Sequence, residues 1–279
     1  MGTRAQPVVL VTGSTDGIGR ETALQLARRG AKVVLHGRSP ERLEKARKDL
    51  ERAVGRPMPE PVLGDLASLE SVRGMVRALD ERGTALDVLV NNAGIFRRKK
   101  ELSADGLELT MAVNHFAPFL LTHLVLAGPS GKELRRVVNV SSMAHRNGTI
   151  DLRDPTLASG RFEPYAAYAA SKLANVLFTV EFSRRLVGRG VAVNALHPGV
   201  VGTKLLTQGF GAAAGQDSVE DAAASSVMLA LDPAGERATG KYFAYRREAP
   251  MSAAASDEKL SREFYEASAK VVGVEPLPG

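Results

Sequence analysis

An α/β architecture, a mostly parallel sheet of seven strands doubly wound by helices on both faces, is what this sequence predicts. Three observations carry that expectation. Short apolar runs of β type alternate with helical segments along the chain. The first run ends in a glycine-rich turn, Gly13 to Gly19, with a helical pattern directly behind it. Finally, 279 residues with 44% hydrophobic content can bury one sizeable core, so a single domain over residues 1–279 is expected.

The strands are expected, in order, at Val8 to Thr12, Lys32 to Leu35, Pro61 to Leu63, Asp87 to Val90, Arg136 to Ser141, Val191 to Leu196 and Tyr242 to Tyr245. Between them the helices carry local start and stop signals. Gly30 follows the first helix, Ser39 and Pro40 cap and open the second, and Ser218 to Asp221 resembles a capping box with Asp in the place of Glu. There is no internal repeat. Small residues concentrate between Gly209 and Gly215, and that stretch is expected to be mobile.

Composition narrows the function classes. The sequence has no cysteine, which excludes disulfide and thiolate chemistry. Its five histidines, His36, His115, His123, His145 and His197, lack metal-ligand spacing, so no metal is expected, although His145 and His197 lie near the site by sequence position. The net charge of +6 is densest at Arg97 to Lys100. Neither interleaved aromatics nor a nucleic-acid motif accompanies it, and a solvated loop is the better reading. The first residues lead straight into a strand without a signal-peptide core, and Gln6 stands where a myristoylation pattern after Gly2 wants Ser or Thr. The most apolar segment, around Phe116 to Ala127, is too short to span a bilayer and contains Pro118 and His123. Together these features set the expectation of a soluble cytoplasmic protein with no membrane anchor and no nucleic-acid partner.

The glycine-rich turn reads Gly13-Ser14-Thr15-Asp16-Gly17-Ile18-Gly19. Glycines at a strand–helix junction let backbone N–H groups and the positive helix end approach a pyrophosphate. The spacing is one residue longer before its second glycine than the G-x-G-x-x-G pattern, yet the flanking strand and helix favour a nucleotide over an unliganded turn. The end of the second strand selects which nucleotide. An acid there would bind a ribose 2′-hydroxyl, whereas an arginine accommodates a 2′-phosphate. This chain reads Leu35-His36-Gly37-Arg38-Ser39, with no acid. Arg38 therefore points to NADP(H), the competing reading being a solvated loop residue.

The catalytic candidates centre on Tyr168 and Lys172. Flanking alanines and Leu173 favour helix, and residues i and i+4 share a helix face. A phenol with a pKa of roughly 10 is a poor base at neutral pH, but a neighbouring ammonium lowers that value. The pair thus suits proton transfer at an alcohol or carbonyl oxygen, although it also occurs on ordinary solvated helices. Asn114 adds a geometric inference. Pro118, four residues on, has no N–H to give the Asn114 carbonyl, so a kink and a free carbonyl are expected. Either that carbonyl holds a water connecting Lys172 to solvent, or the proline simply bends the helix around the core.

Together and in order, these motifs resemble the short-chain dehydrogenase/reductase family in its single-domain, Rossmann-type form, over about Val8 to Val271. The carriers are the glycine turn, Asp65-Leu66, Asn91-Asn92-Ala93-Gly94, Asn114, Ser142, Tyr168-x-x-x-Lys172 and Pro198-Gly199. The wording of Val113 to His115, Asn139 to Ser142, Ser171 to Asn175 and His197 to Val200 is similar to the retinol-dehydrogenase-like branch. The membrane anchor of many such relatives has no counterpart here, which weighs against a retinoid substrate. The resemblance implies that Asp65 contacts the adenine amino group with Leu66 beside it, and that Asn92, Ala93 and Gly94 floor the adenosine half. It implies that Pro198, Gly199, Val201 and Thr203 pack against the nicotinamide and hold its carboxamide. Ser142 would hydrogen-bond the substrate oxygen, in preference to Ser141 at the strand end. Tyr168 would exchange a proton with that oxygen, and Lys172 would lower the Tyr168 pKa and bind the nicotinamide ribose. Tyr165 is excluded as the catalytic phenol because Ala169 stands four residues on. Pairing through helices 107–126 and 168–185 as a dimer or tetramer is also implied, although members with inserted loops are sometimes monomers.

The expected reaction is hydride transfer between nicotinamide C4 and a carbonyl or secondary-alcohol carbon, with a small-molecule substrate as partner. Substrate choice is expected from residues 143–164 and from 204–216, a candidate lid, with Met143, Leu152, Phe162, Leu205, Leu206 and Phe210 supplying an apolar pocket. Two other readings stand beside this one. A nucleotide-sensing protein without turnover would not need Ser142, Tyr168 and Lys172 together. A sugar-nucleotide epimerase or dehydratase is disfavoured by the glycine spacing and by the lack of a large C-terminal substrate domain.

Overall fold

The computed structural model describes residues 6–202, 205 and 215–278. Val8–Val11 forms β1, an uninterrupted apolar run of the kind required by a strand covered on both faces. It pairs in parallel with β2 (Lys32–Gly37) on one side and β4 (Val88–Asn91) on the other. β3 (Val62–Leu63) extends the β2 edge. Beyond β4 follow β5 (Arg136–Val140), β6 (Ala192–His197) and β7 (Tyr242–Ala244), all parallel. Chain order reverses between β1 and β4, which opens a crevice at the carboxyl ends of those strands, the ordinary place for a ligand in an open α/β sheet.

Among the described residues the sheet has eight strands, one more than the sequence leads one to expect. Tyr242 to Tyr245 stops at Ala244, and β8 (Arg247–Glu248) folds back antiparallel on β7. Tyr245 and Arg246 both adopt left-handed φ angles, 50° and 63°, and form the two-residue turn between them. Asn-Gly is the sequence signal for such a turn, and it is missing here.

Successive strand residues feed two cores, because side chains alternate across a sheet. Leu10, Val34, Leu89, Val137 and Val193 enter one, covered by α3 (Leu69–Glu81), α5 (Ala117–Ala127), α6 (Pro164–Arg185) and α9 (Glu258–Val272). Val9, Val33, Val88, Val138 and Leu196 enter the other, covered by α1 (Gly17–Arg28), α2 (Pro40–Val54) and α7 (Val219–Leu231). The helix caps follow the sequence signals. Ser39 accepts the Arg42 N–H, Pro40 fills the first helical position, and Ser218 accepts the Asp221 N–H.

The kink expected at Asn114 takes the form of a single π-helical segment, Ala112–Phe116, leading into α5. The Ala117 N–H reaches five residues back to the Ala112 carbonyl, just ahead of the missing donor at Pro118. The run Leu109–Ala127 has 19 residues and is, among the described residues, long and apolar enough to cross a membrane; 89% of its most apolar window is buried inside the fold. It is thus longer than the segment picked out by composition, and it serves as a core helix. α9 and the residues after it close this side. The Tyr265 hydroxyl shares a hydrogen bond with His123 Nε2 at 3.0 Å and accepts the Leu277 N–H at 3.0 Å, while the Arg185 guanidinium lies 4.0 Å over its ring.

Candidate active site

The glycine turn is shaped first by chain packing. A Cβ on Gly19 would stand 2.3 Å from both the Gly13 carbonyl oxygen and Asn92 Nδ2, and one on Gly13 would meet Ala93 at 3.0 Å. Gly13 and Gly17 also hold φ angles of 65° and 53°. Thr12 Oγ1 accepts the N–H groups of Asn92 (2.9 Å) and Ala93 (3.0 Å), and Asn92 Nδ2 donates to the Thr12 carbonyl at 2.8 Å, stitching the ends of β1 and β4 together. Ser14 is fully buried and spends its hydroxyl on the His36 backbone. Asp16 caps α1 by accepting the Gly17 N–H at 2.9 Å and meets Arg42 at 3.3 Å, whereas Thr15 and Ile18 are half-buried on the turn. The cradle has no room for side chains at Gly13 and Gly19 and carries a helix N-terminus, which fits a dinucleotide pyrophosphate.

His36 is the brace of this turn, a role not legible from the sequence. Its Nδ1 accepts the Gly13 N–H at 3.0 Å, and burial lowers its pKa to about 4, which keeps the ring neutral. Arg38, two residues on, is exposed and makes no ion pair or hydrogen bond among the described residues. Asp65 is half-exposed and accepts the Ala67 N–H at 3.0 Å; Leu66 turns into the core, 7% exposed.

Ser142, Tyr168 and Lys172 converge at the carboxyl ends of β4 to β6. The Ser142 hydroxyl hydrogen-bonds the Tyr168 phenol. Lys172 Nζ sits 5.6 Å from the Tyr168 ring centroid and donates to the Val140 carbonyl at 3.1 Å. A Cβ on Gly94 would lie 3.3 Å from Lys172 Nζ, so the glycine admits the ammonium. Asn114 is buried; its Oδ1 accepts the Ile95 N–H at 2.8 Å, and its Nδ2 donates to the Ile95 carbonyl and to Ser171 Oγ. That side chain pins the loop after β4 onto α6. Ser141 donates to the Lys172 carbonyl at 2.7 Å and so is structural, which leaves Ser142 as the serine facing the phenol.

The electrostatics differ from expectation. Burial pushes Tyr168 up to about 12, opposed by its bond to Ser142, and burial brings Lys172 down to about 8. The expected depression of the phenol by the ammonium is overridden, because a phenolate would stand in a site closed to water while the ammonium lies across the ring and is engaged by a backbone carbonyl. At neutral pH the pair is a neutral phenol beside a cation.

Two more histidines hold the serine segment. His145 donates from Nδ1 to the Ser142 carbonyl at 2.8 Å and accepts the Ser252 N–H on Nε2 at 3.3 Å, which fixes a neutral tautomer. His197 Nδ1 accepts the Met143 N–H at 3.4 Å, and burial lowers its pKa to about 4. Gly148, at the end of this segment, abuts α6: a Cβ there would be 2.4 Å from the Ala169 carbonyl oxygen. Asp217, also unflagged by sequence, accepts the Val200 N–H at 2.7 Å and packs against Gly199, whose φ is 107°. Pro198 and Gly199 are half-buried and Val201 buried, bridged to Asp217. Thr203, residue 204 and residues 206–214, Leu206 and Phe210 among them, lie outside the described residues. Of the other expected pocket residues, Met143 and Leu152 are exposed, Phe162 and Leu205 half-buried, and Phe96 joins them 5.6 Å from the Tyr168 ring.

A doubly wound sheet with a glycine turn at its switch point and a Ser–Tyr–Lys group beyond it defines a dinucleotide-dependent oxidoreductase. The chain belongs to the short chain dehydrogenase family, whose signature matches residues 7–212. It is 40% identical to retinol dehydrogenase 13 of Mus musculus over 279 residues, covering 95% of this chain and 84% of the relative. It is 38% identical over 273 residues to a protein named as the daunorubicin C-13 ketoreductase DnrU of Streptomyces sp. (strain C5), covering 95% and 92%. Among solved structures, an uncharacterized protein of Mycobacterium paratuberculosis superposes with a TM-score of 0.82 at 32% identity, covering 99% and 96%. A short chain dehydrogenase of Escherichia coli CFT073, complexed with NADPH, does so at 0.70 and 28%, covering 86% and 97%.

Proposed function

We propose that the chain is an NADP-dependent carbonyl reductase that works reversibly on secondary alcohols. The observation that carries this reading is the neutral Tyr168 phenol, hydrogen-bonded to Ser142 with Lys172 one helical turn behind it. Bound NADP(H) would supply the hydride and accept it in the reverse direction. Gly13 to Gly19 would hold its pyrophosphate, Arg38 its 2′-phosphate, Asp65 and Asn92 to Gly94 its adenosine half, and Pro198 to Val201 its nicotinamide. Exposed Arg38, which makes no ion pair among the described residues, and the NADPH complex of the Escherichia coli neighbour support the phosphorylated cofactor.

Ser142 positions the substrate oxygen, and Tyr168, a neutral phenol at physiological pH, gives it a proton during reduction. The Lys172 cation stabilises negative charge that develops on the phenol oxygen. Pro118 cannot donate to the Asn114 carbonyl, and a water held there would return the proton to Tyr168 through Lys172. Exposed Met143 and Leu152 with nearby Phe96 favour an apolar carbonyl compound. The test is NADPH consumption across a panel of aldehydes, ketones and quinones, with Tyr168→Phe alongside. Turnover by the wild type that falls roughly 10²- to 10⁴-fold in the variant is expected. Equal turnover in the two would overturn the assignment of the proton donor, and Arg38→Asp leaving the NADPH to NADH affinity ratio unchanged would overturn the cofactor.

A further inference from the structure

The turn between β7 and β8 places two successive non-glycine residues, Tyr245 and Arg246, in the left-handed region, a conformation that L side chains oppose. Strain of this kind is ordinarily offset by burial, but Tyr245 is 55% exposed and its hydroxyl has no partner among the described residues. The turn is nevertheless held firmly. The Arg246 N–H donates to Ser225 Oγ at 3.2 Å, and the Ala244–Arg247 pair closes the hairpin. Its product is the placement of one ring. Tyr245 stands perpendicular to His197, with centroids 6.0 Å apart. His197 in turn binds the backbone of Met143, the neighbour of Ser142, and precedes the Pro198-Gly199 turn. The ring is therefore at the rim of the site, joined through His197 to the serine segment and to the strand-six turn, and largely open to solvent.

We propose that Tyr245 is a specificity-determining residue, an aromatic wall against which a planar, ring-containing carbonyl substrate packs, held in place by the strained turn. The proposal rests on the carbonyl reductase reading above. A flat aromatic face rewards a flat ligand by stacking and leaves a small aliphatic one unaffected. Tyr245 is not among the groups that exchange a proton or polarise the carbonyl, so binding rather than chemistry should register its loss.

The experiment compares wild type, Tyr245→Asn and Tyr245→Phe with two substrates, 2-acetylnaphthalene and 2,3-butanedione, and follows thermal unfolding of each protein. Asparagine tolerates the left-handed turn, so Tyr245→Asn should unfold a few degrees higher than wild type while its KM for 2-acetylnaphthalene rises about tenfold. Its kcat and its KM for 2,3-butanedione should stay within twofold, and Tyr245→Phe should keep the wild-type KM for both. An unchanged KM ratio in Tyr245→Asn, or equal loss on both substrates together with a lower unfolding temperature, would overturn the role. If the wild type reduces no member of the carbonyl panel named above, these two ketones included, the reductase reading fails by itself. Binding of 2-acetylnaphthalene, followed by its fluorescence, then decides this proposal: weaker binding to Tyr245→Asn supports it and equal binding overturns it.

Discussion

Two loops at the carboxyl edge of the sheet, the glycine turn after β1 and the serine segment after β5, are both braced by buried neutral histidines, but they are built on different principles. In the glycine turn, main chain packs directly on main chain, so that a single added methyl group at Gly19 has nowhere to go. His36 adds one bond to a shape already determined by contact. In the serine segment, Ser142 and Met143 are held mainly by imidazole-to-backbone bonds from His145 and His197, with close packing only at its far end, Gly148. The lesson is one of tolerance. A site for an invariant ligand can be cast in backbone, whereas a site that selects a substrate is held by side chains that can be exchanged.

The largest effect should come from pH, which acts on both loops. His36 and His197 have pKa values near 4 in the fold against 6.5 in an unfolded chain, and burial is the main cause in each. Their contribution to stability is complete above about pH 6.5 and is lost as pH falls toward 4, because the unfolded chain takes up protons first. Urea unfolding at pH 7 and pH 4.5 should show a loss of several kcal/mol. Stability that stays level over that range would break the picture of neutral braces.

Next come the glycines. Gly19→Ala and Gly148→Ala should each cost about 3 kcal/mol in urea unfolding, by overpacking. They should then part company: the first abolishes NADPH binding, and the second spares it while raising the KM for substrate. Loss of cofactor affinity in both would erase the distinction between the loops. Histidine replacements should be milder. His36→Ala and His145→Ala are each expected to cost about 2 kcal/mol by leaving buried backbone groups unpaired. Isothermal titration should find NADPH affinity reduced in His36→Ala only. The smallest effect belongs to Asp217→Ala, which removes one bond to Val200 and should cost about 1 kcal/mol, with the NADPH KM raised only a few-fold.

Much of this molecule was legible in the sequence because its signals are local. Apolar runs marked seven parallel strands, Ser39 and Ser218 marked helix starts, and the four-residue spacing of Tyr168 and Lys172 placed both on one face. Ser141, expected as the last residue of its strand, lies one residue beyond the end of β5 at Val140, and its hydroxyl is occupied by the Lys172 carbonyl, a partner the local sequence does not reveal. What escaped depends on distant neighbours or on broken conventions. β8 was hidden because Tyr245-Arg246 does not look like a hairpin turn. His36 and His197 became braces only through partners 23 and 54 residues away. The direction of the Tyr168 pKa was misjudged because burial is a property of the assembled core, not of a helix turn.

The closure of α5 by α9 has a consequence in time as well as space. Phe119 and His123 receive the Tyr265 ring as a neighbour only after roughly 140 further residues have been made. A chain emerging from the ribosome therefore covers this aromatic face in two stages, Phe178 and Phe182 of α6 first and Tyr265 last, and until the second stage part of it remains a surface that chaperones bind and that promotes aggregation. Production of the active protein should accordingly depend on how quickly the stretch from Phe264 to Leu277 arrives, and shortening the chain ahead of Phe264 should convert it from a folding unit into a chaperone client.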